Sequence, residues 1–246
     1  MNRALYDRIG VGYATRRRPD PRIATRINAA LGPCHRVLNV GAGAGSYEPP
    51  DRFVVAVEPS AQMICQRPAV ATQVVQASAS QLPFQDGSFD AALAVLTVHH
   101  WPHREQGLAE MRRVARERVV IFTWDPEHSG FWLVQHYFPE ILEMDRPAFP
   151  SLREIEMAIG PAVAYPVPVP ADCSDGFLGA YWLRPAHYLD AQARAAISAF
   201  SQFDPTAGLS RLRRDLEDGT WLDQHGALQE LRELDIGYRL VVARCA

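Results

Sequence analysis

The segment VLNVGAGAGSYE, Val37 to Glu48, constrains the chain most: an apolar strand runs straight into glycines at 41, 43 and 45. Glycine permits backbone angles and close approaches that a Cβ forbids, so this reads as a loop that lets a ligand reach the backbone. A nucleoside-bearing cofactor is the first candidate. Glycine clusters also make ordinary strand-to-helix turns, and a dinucleotide-binding fold starts in the same way. The residues that follow must decide.

Around the loop, strands and helices alternate. Asp20 as N-cap, Pro21 at the first helical position and Gly32 beyond the end bracket a helix over PRIATRINAAL. Strands are predicted at 36–40, 53–57, 74–77, 91–98 and 118–124, with helices from Ser60 to Pro68 and from Arg104 to Ala115. The strand runs are short and apolar without polar alternation, as expected where both faces of a mostly parallel sheet are covered. The fold class is therefore doubly wound α/β. Ser151 and Glu154 form a capping box for a helix ending at Gly160. Three prolines in 162–170 confine that stretch to an edge strand or extended segment, and the last strand is 236–244.

Between these two strands lies 171–235, too long for a plain connection and rich in aromatics, among them Phe177, Tyr181, Trp182, Tyr188 and Trp221. It reads as a helical cap over the sheet's ligand edge. The expected organisation is a cofactor-binding core over 1–170, the cap over 171–235 and a final core strand within 236–246. The cap's aromatics, with Asp172 and Asp175, either line a site for an apolar or planar acceptor or form the cap's own core.

A formal net charge of −3 over 246 residues, 48% of them hydrophobic, describes an ordinary globular protein and argues against a nucleic-acid partner. The basic run Arg16–Arg18 reads as a solvated turn or as a salt-bridge partner for a cofactor carboxylate. The four cysteines are scattered, and neither a signal-peptide core nor a membrane-length apolar run is evident. A cytoplasmic setting without membrane association is expected; the oligomeric state stays open.

Loops at the carboxyl ends of parallel strands are where side chains meet ligands. Glu58, after the second strand, is placed to accept from both ribose hydroxyls, with a surface carboxylate near a helix start as the alternative. The third loop, ASASQLPFQDGSFDAAL, carries LPF and D-x-S-F-D into the fourth strand. With the glycine loop and Glu58, this resembles the class I S-adenosylmethionine-dependent methyltransferases, in particular the group similar to ubiquinone and menaquinone biosynthesis methyltransferases (methyltransferase type 11). The resemblance covers roughly residues 5–125.

It implies a seven-stranded, mostly parallel Rossmann-like sheet with an antiparallel last strand, and S-adenosyl-L-methionine as cofactor. It sets Gly41, Ala42 and Gly43 against the methionine part and ribose, and Glu58 on the ribose hydroxyls. Pro59 and Met63 flank the adenine, Ser78 and Ala79 meet its polar edge, and Leu96 and Thr97 lie beside the sulfonium. Tyr6 and Tyr13 match the family's amino-terminal lid. Two positions depart from the pattern: Asn39 stands where the family usually has an acid, and Ser78 where it often has aspartate. An amide cannot offset the cofactor's ammonium charge.

His99, His100 and His103 cluster in HHWPH. Adjacent histidines on an extended segment point to opposite sides and no carboxylate or cysteine shows ligand spacing, so no metal is expected. His100, then His99, is the candidate general base, with capping of the strand end as the structural alternative. The function expected is methyl transfer to a small molecule. The alternatives are a cofactor-binding regulatory or non-methylating protein on the same fold, and an NAD(P)-dependent oxidoreductase, against which Ser46 replaces the third glycine of G-x-G-x-x-G.

Overall fold

The structure is a computed structural model that describes residues 17–68 and 72–245. Its centre is a seven-stranded sheet built from β1 (Arg36–Val40), β2 (Phe53–Val57), β3 (Gln73–Val75), β4 (Phe89–Val95), β5 (Ala115–Trp124), β6 (Ala162–Pro166) and β9 (Tyr238–Arg244), in the order β3-β2-β1-β4-β5-β9-β6. The pairs among β1 to β5 are parallel, and β9 runs antiparallel to both its neighbours. β7 (Val169–Pro170) and β8 (Glu233–Leu234) form a small separate ladder. The expected doubly wound, Rossmann-like architecture with an antiparallel last strand is what forms.

Each central strand feeds both faces of the sheet, because successive side chains point to opposite sides. Val37, Leu93, Val120 and Phe122 belong to one buried cluster with Ile23 and Ile27 of α1 (Pro21–Ala30). Leu38, Val40, Ala92 and Ile121 belong to the other, with Leu108 and Met111 of α3 (Arg104–Val114) and Ile155 and Ile159 of α5 (Leu152–Ile159). Complete burial of each Leu, Ile or Met side chain contributes about 1.5–3 kcal/mol. That burial explains why the strand runs show no polar alternation. The predicted capping box is present at the start of α5, and Asp20 caps α1.

Several boundaries fall elsewhere than the sequence suggests. The helix expected from Ser60 to Pro68 is one turn, α2 (Ala61–Ile64), with Ser60 as its cap. β4 stops at Val95 instead of Val98, because Leu96 adopts φ +48° and the chain turns into a 3₁₀ segment, Val98–His100. The apolar run LTV gave no hint of that break.

The stretch 171–235 packs with a second segment. Besides 171–235, which holds α6 (Ala191–Arg194), α7 (Thr206–Glu217), α8 (Thr220–His225) and several 3₁₀ turns, the segment after β5 contributes a π-helical turn, Leu133–Tyr137, and α4 (Pro139–Ala148). Trp132 meets Tyr188 and Trp221 edge-on, with ring centroids 5.9 and 5.4 Å apart. These aromatics share one buried cluster with Val37 and Val120, so the stretch packs onto the sheet.

Asp20 fastens α1 to the later chain. Its fully buried carboxylate accepts from Arg22 N at 3.0 Å, Arg22 Nη2 at 2.7 Å and Ser174 N at 3.1 Å. Burial raises the carboxyl's pKa, but the Arg22 side chain and the two backbone N–H groups outweigh it and hold the value at about 2, against an ordinary 3.8. A depressed carboxyl stabilises the fold above pH 3.8 and loses that contribution as pH falls through 2. Asp20→Asn should therefore lower urea-unfolding stability at pH 7 by about 2 kcal/mol, with the gap to wild type closing between pH 4 and pH 2.

Candidate cofactor and acceptor site

The strand order reverses direction between β1 and β4, and the loops leaving these two strands meet there. Gly41 has φ +71°, and a Cβ built on it would lie 2.2 Å from Thr97 Oγ1. Only glycine lets the loop after β1 and the loop after β4 close on each other. Leu96, in the left-handed region that a branched side chain rarely occupies, turns Thr97 toward Gly41 at a cost of about 1–3 kcal/mol. Trp101 Nε1 donates to Thr97 Oγ1 at 3.3 Å, and the Trp101 ring lies against Gly107 of α3, where a Cβ would fall 2.6 Å from Cε3.

The loop after β2 joins them. Gly41 N and Ala42 N both donate to Val57 O, at 2.8 and 3.0 Å. The buried Glu58 carboxylate accepts from Gly43 N at 2.8 Å and from Ser60 N at 2.9 Å. Gly43 also has positive φ, and its Cβ position lies 3.2 Å from the buried Met63 Cε. Pro59 is exposed and next to Glu58. Ala79 is buried, with its Cβ 3.3 Å from the Cβ position of Gly107, whereas Ser78 is exposed with its Oγ 2.9 Å from Ser80 Oγ. Gly41, Gly43, Glu58, Met63 and Thr97 thus converge; Ser78 and Ala79 lie in the loop after β3. Tyr13 and Tyr6 lie outside the described residues.

Asn39 is buried, and its Nδ2 donates to Glu48 Oε1 at 3.0 Å. The acid absent at position 39 is therefore supplied nine residues later, but Arg67 at 2.8 Å and Thr72 at 2.8 Å already hold that carboxylate. Asn39 Oδ1 is buried and meets no hydrogen-bond partner among the described residues.

The histidines depart from expectation. His99 and His100 lie on a 3₁₀ turn, where successive side chains are about 120° apart, and not on an extended strand. Their rings sit together, with centroids 3.8 Å apart, and His99 stacks on Phe149 at 3.9 Å. His103 is exposed at the start of α3. Among the described residues no group of three or more His, Cys, Asp and Glu is arranged to hold a metal.

His99 and His100 line a cavity of about 120 Å³ together with Arg17, Leu96, Asp145 and Tyr238, among others. Burial, followed by the charge of Arg17, pushes His100 down to about 4, and burial pushes His99 well below 6.5. Both are neutral near pH 7 and so have a lone pair to accept a proton. Arg17 is paired with Asp175 at 2.6 Å, and Tyr47 Oη donates to the same carboxylate at 2.8 Å. Arg17 of the basic run thus pairs with a carboxylate of the chain, and Asp175 serves as a junction between the end of the glycine loop and the stretch 171–235. Asp172 is on the surface with Arg22. Of the cap aromatics singled out in the sequence, Phe177 lines the cavity, while Trp182, Tyr188 and Trp221 are packing residues.

Sequence reasoning missed Trp101, Tyr47 and Asp145. For Asp145 a signal existed: it stands at i+4 from Ile141 on α4, so the helix's buried stripe carries a carboxyl where an apolar residue is expected.

Comparison with known proteins agrees with this geometry. The methyltransferase-domain family model called Methyltransf_11 matches residues 38–123. A crystal structure from Anabaena variabilis, named as a candidate methyltransferase of an antibiotic biosynthesis pathway, is 33% identical with TM-score 0.85, covering 92% of this chain and 98% of that one. The methyltransferase YcgJ of Bacillus subtilis, itself uncharacterised, is 30% identical over 43% of this chain and 42% of its own length. The chain spans about half the length of the curated relatives it matches. A phosphoethanolamine N-methyltransferase of Haemonchus contortus in complex with S-adenosyl-L-methionine shares the fold, at TM-score 0.51 and 15% identity over 89% of this chain and 51% of that one. This chain belongs to the methyltransferase-domain family and has the Rossmann-like fold of its S-adenosylmethionine-dependent class.

His100 provides a direct check on the buried cavity. Its imidazole should titrate near pH 4 by NMR, not near 6.5. A depressed histidine gives full stability above 6.5 and loses it as pH falls toward 4, since only the unfolded chain takes the proton in that range. His100→Gln should therefore flatten the acid limb of the stability curve by up to about 1.4 kcal/mol per pH unit. A midpoint near 6.5 would show an open, hydrated ring.

Proposed function

We propose that the protein is an S-adenosyl-L-methionine-dependent methyltransferase acting on a small-molecule acceptor held between the sheet edge and the cap formed by 171–235 and α4. The observation that carries this reading is the convergence at the β1/β4 switch point: a backbone cradle at Gly41–Gly43 that a Cβ would fill, with the Glu58 carboxylate at its rim. Open α/β sheets bind ligands in this crevice.

The residues present fit the cofactor. Glu58 is positioned to accept from the ribose hydroxyls, and the glycine loop leaves room for ribose and the methionine part, with Ala42 between the two glycines. Pro59 and Met63 flank the adenine; Ser78 and Ala79 face its polar edge. Leu96 and Thr97 border the sulfonium side, and Asn39 Oδ1 is an acceptor left over beside the loop. Tyr13 is proposed as a lid residue. When bound, this cofactor supplies a methyl group already activated for in-line displacement. The chain's task is then to exclude water and align the acceptor.

The buried cavity wall does this, and neutral His100, with His99 behind it, is available to accept a proton where the acceptor must lose one. The methyltransferase family match speaks against the oxidoreductase alternative.

Isothermal titration with S-adenosylhomocysteine tests the reading. Wild type should bind; Glu58→Gln should weaken binding roughly tenfold, the loss of a charge-assisted hydrogen bond to a buried carboxylate. Gly41→Ala should abolish binding, with circular dichroism confirming the fold. Failure of folded wild type to bind would overturn the proposal.

A further inference from the structure

Asp145 is the group the site so far leaves unused. It is 8% exposed, lies on α4 and lines the cavity beside His99 and His100. Its carboxylate meets neither a hydrogen-bond donor nor a cation among the described residues. Burial alone pushes its pKa up to about 7. A buried carboxyl without a partner is costly when ionised, and packing gains nothing from it.

The charge balance of the cavity gives the carboxyl a purpose. Arg17, the cation on this wall, is held by Asp175, which accepts from its Nε at 2.6 Å and Nη2 at 3.1 Å. His99 and His100 are neutral near pH 7, and Tyr238 keeps its proton because burial raises its pKa. Above pH 7, where Asp145 is mostly ionised, the described lining therefore carries its negative charge uncompensated. Trp124 and Phe149 meet at 86° with centroids 5.6 Å apart, and Phe177 and Tyr238 at 60° and 4.7 Å, all four lining the same cavity. Aromatic walls around a carboxylate attract a cation through the ring faces as well as through its charge.

We infer that this cavity takes an acceptor molecule bearing a protonated amine on a compact apolar body, with Asp145 as the counterion that selects it. The inference rests on the acceptor cavity of the proposed methyltransferase, but the cation site is testable without turnover. A neutral acceptor leaves the carboxylate unpaired, and an anionic one adds repulsion. The amine alone relieves the buried charge.

The experiment compares three probes of one shape, cyclohexylamine, cyclohexanol and cyclohexanecarboxylate, titrated at pH 8 into wild-type protein and Asp145→Asn, followed by ligand-observed NMR. S-adenosylhomocysteine binding is measured in both proteins in parallel. Wild type should bind the amine at least tenfold more tightly than the alcohol, and the carboxylate least; Asp145→Asn should lose the amine preference. The variant should also melt higher than wild type at pH 8, with the difference shrinking toward pH 5 as the wild-type carboxyl takes up its proton. Equal affinity for amine and alcohol, or an amine preference that survives Asp145→Asn, overturns the inference. Loss of S-adenosylhomocysteine binding by wild type, with amine selectivity intact, would strike the methyltransferase reading and leave the cation site standing.

Discussion

The contact between the loops after β1 and β4 sets the rest of the site. With Thr97 Oγ1 where a Gly41 Cβ would be, the two backbones approach closely enough to form one wall of the crevice. Everything nearby serves that approach. Leu96 is twisted into an unfavourable φ, Trp101 holds the Thr97 hydroxyl, and Gly107 clears space for the Trp101 ring. A glycine on one element is thus matched by a glycine on another, through two side chains between them.

The stretch 171–235 is tied to this edge in turn. Tyr47 lies just beyond the glycine loop at φ +63° and sends its hydroxyl to Asp175, the carboxylate that also pairs with Arg17. Burial, and after it the charge of Asp175, keeps that phenol protonated, so it remains a donor over the whole physiological range. Asp20 makes a second link from the start of α1 to Ser174. The two buried carboxylates, Asp20 and Asp175, therefore fasten the adjacent residues Ser174 and Asp175 to α1, to Arg17 and to the end of the glycine loop. Each is fully compensated by hydrogen bonds, as buried charge must be.

What the sequence revealed followed from the range of the forces involved. The strands, α1 with its Asp20 cap and the capping box at Ser151 are decided by residues within a few positions of one another, and periodicity and capping rules read them directly. The Gly41 loop and Glu58 were visible for the same reason. The end of β4 was not, because Leu96, Thr97 and Val98 are good strand formers and are turned aside by a contact with Gly41 more than fifty positions earlier. The histidines were assigned to opposite faces as a result. Asp175 was legible as a candidate but its partners were not: they lie 158 and 128 residues away. Asp145 was overlooked because a helix of ordinary amphipathic pattern hides a single polar residue on its buried stripe.

Several of the costs the fold leaves uncompensated fall at the cavity and beside the glycine loop. Among the described residues Asn39 Oδ1 and His99 Nδ1 are buried without partners and Asp145 is a buried carboxyl with no ion pair, and Leu96 is strained. An unsatisfied buried polar atom costs about 1–3 kcal/mol, a large share of the 5–15 kcal/mol that separates folded from unfolded domains. Elsewhere the same chain satisfies comparable groups with care, as at Asp20, Asp90 and Asp175. Packing alone would favour an apolar residue at 145. Local rules broken at Leu96, His99 and Asp145, which line one cavity together, are what a site built for something other than stability looks like. His99 and Asp145 line one cavity, and Asn39 lies on β1, which leads into the glycine loop that meets Thr97.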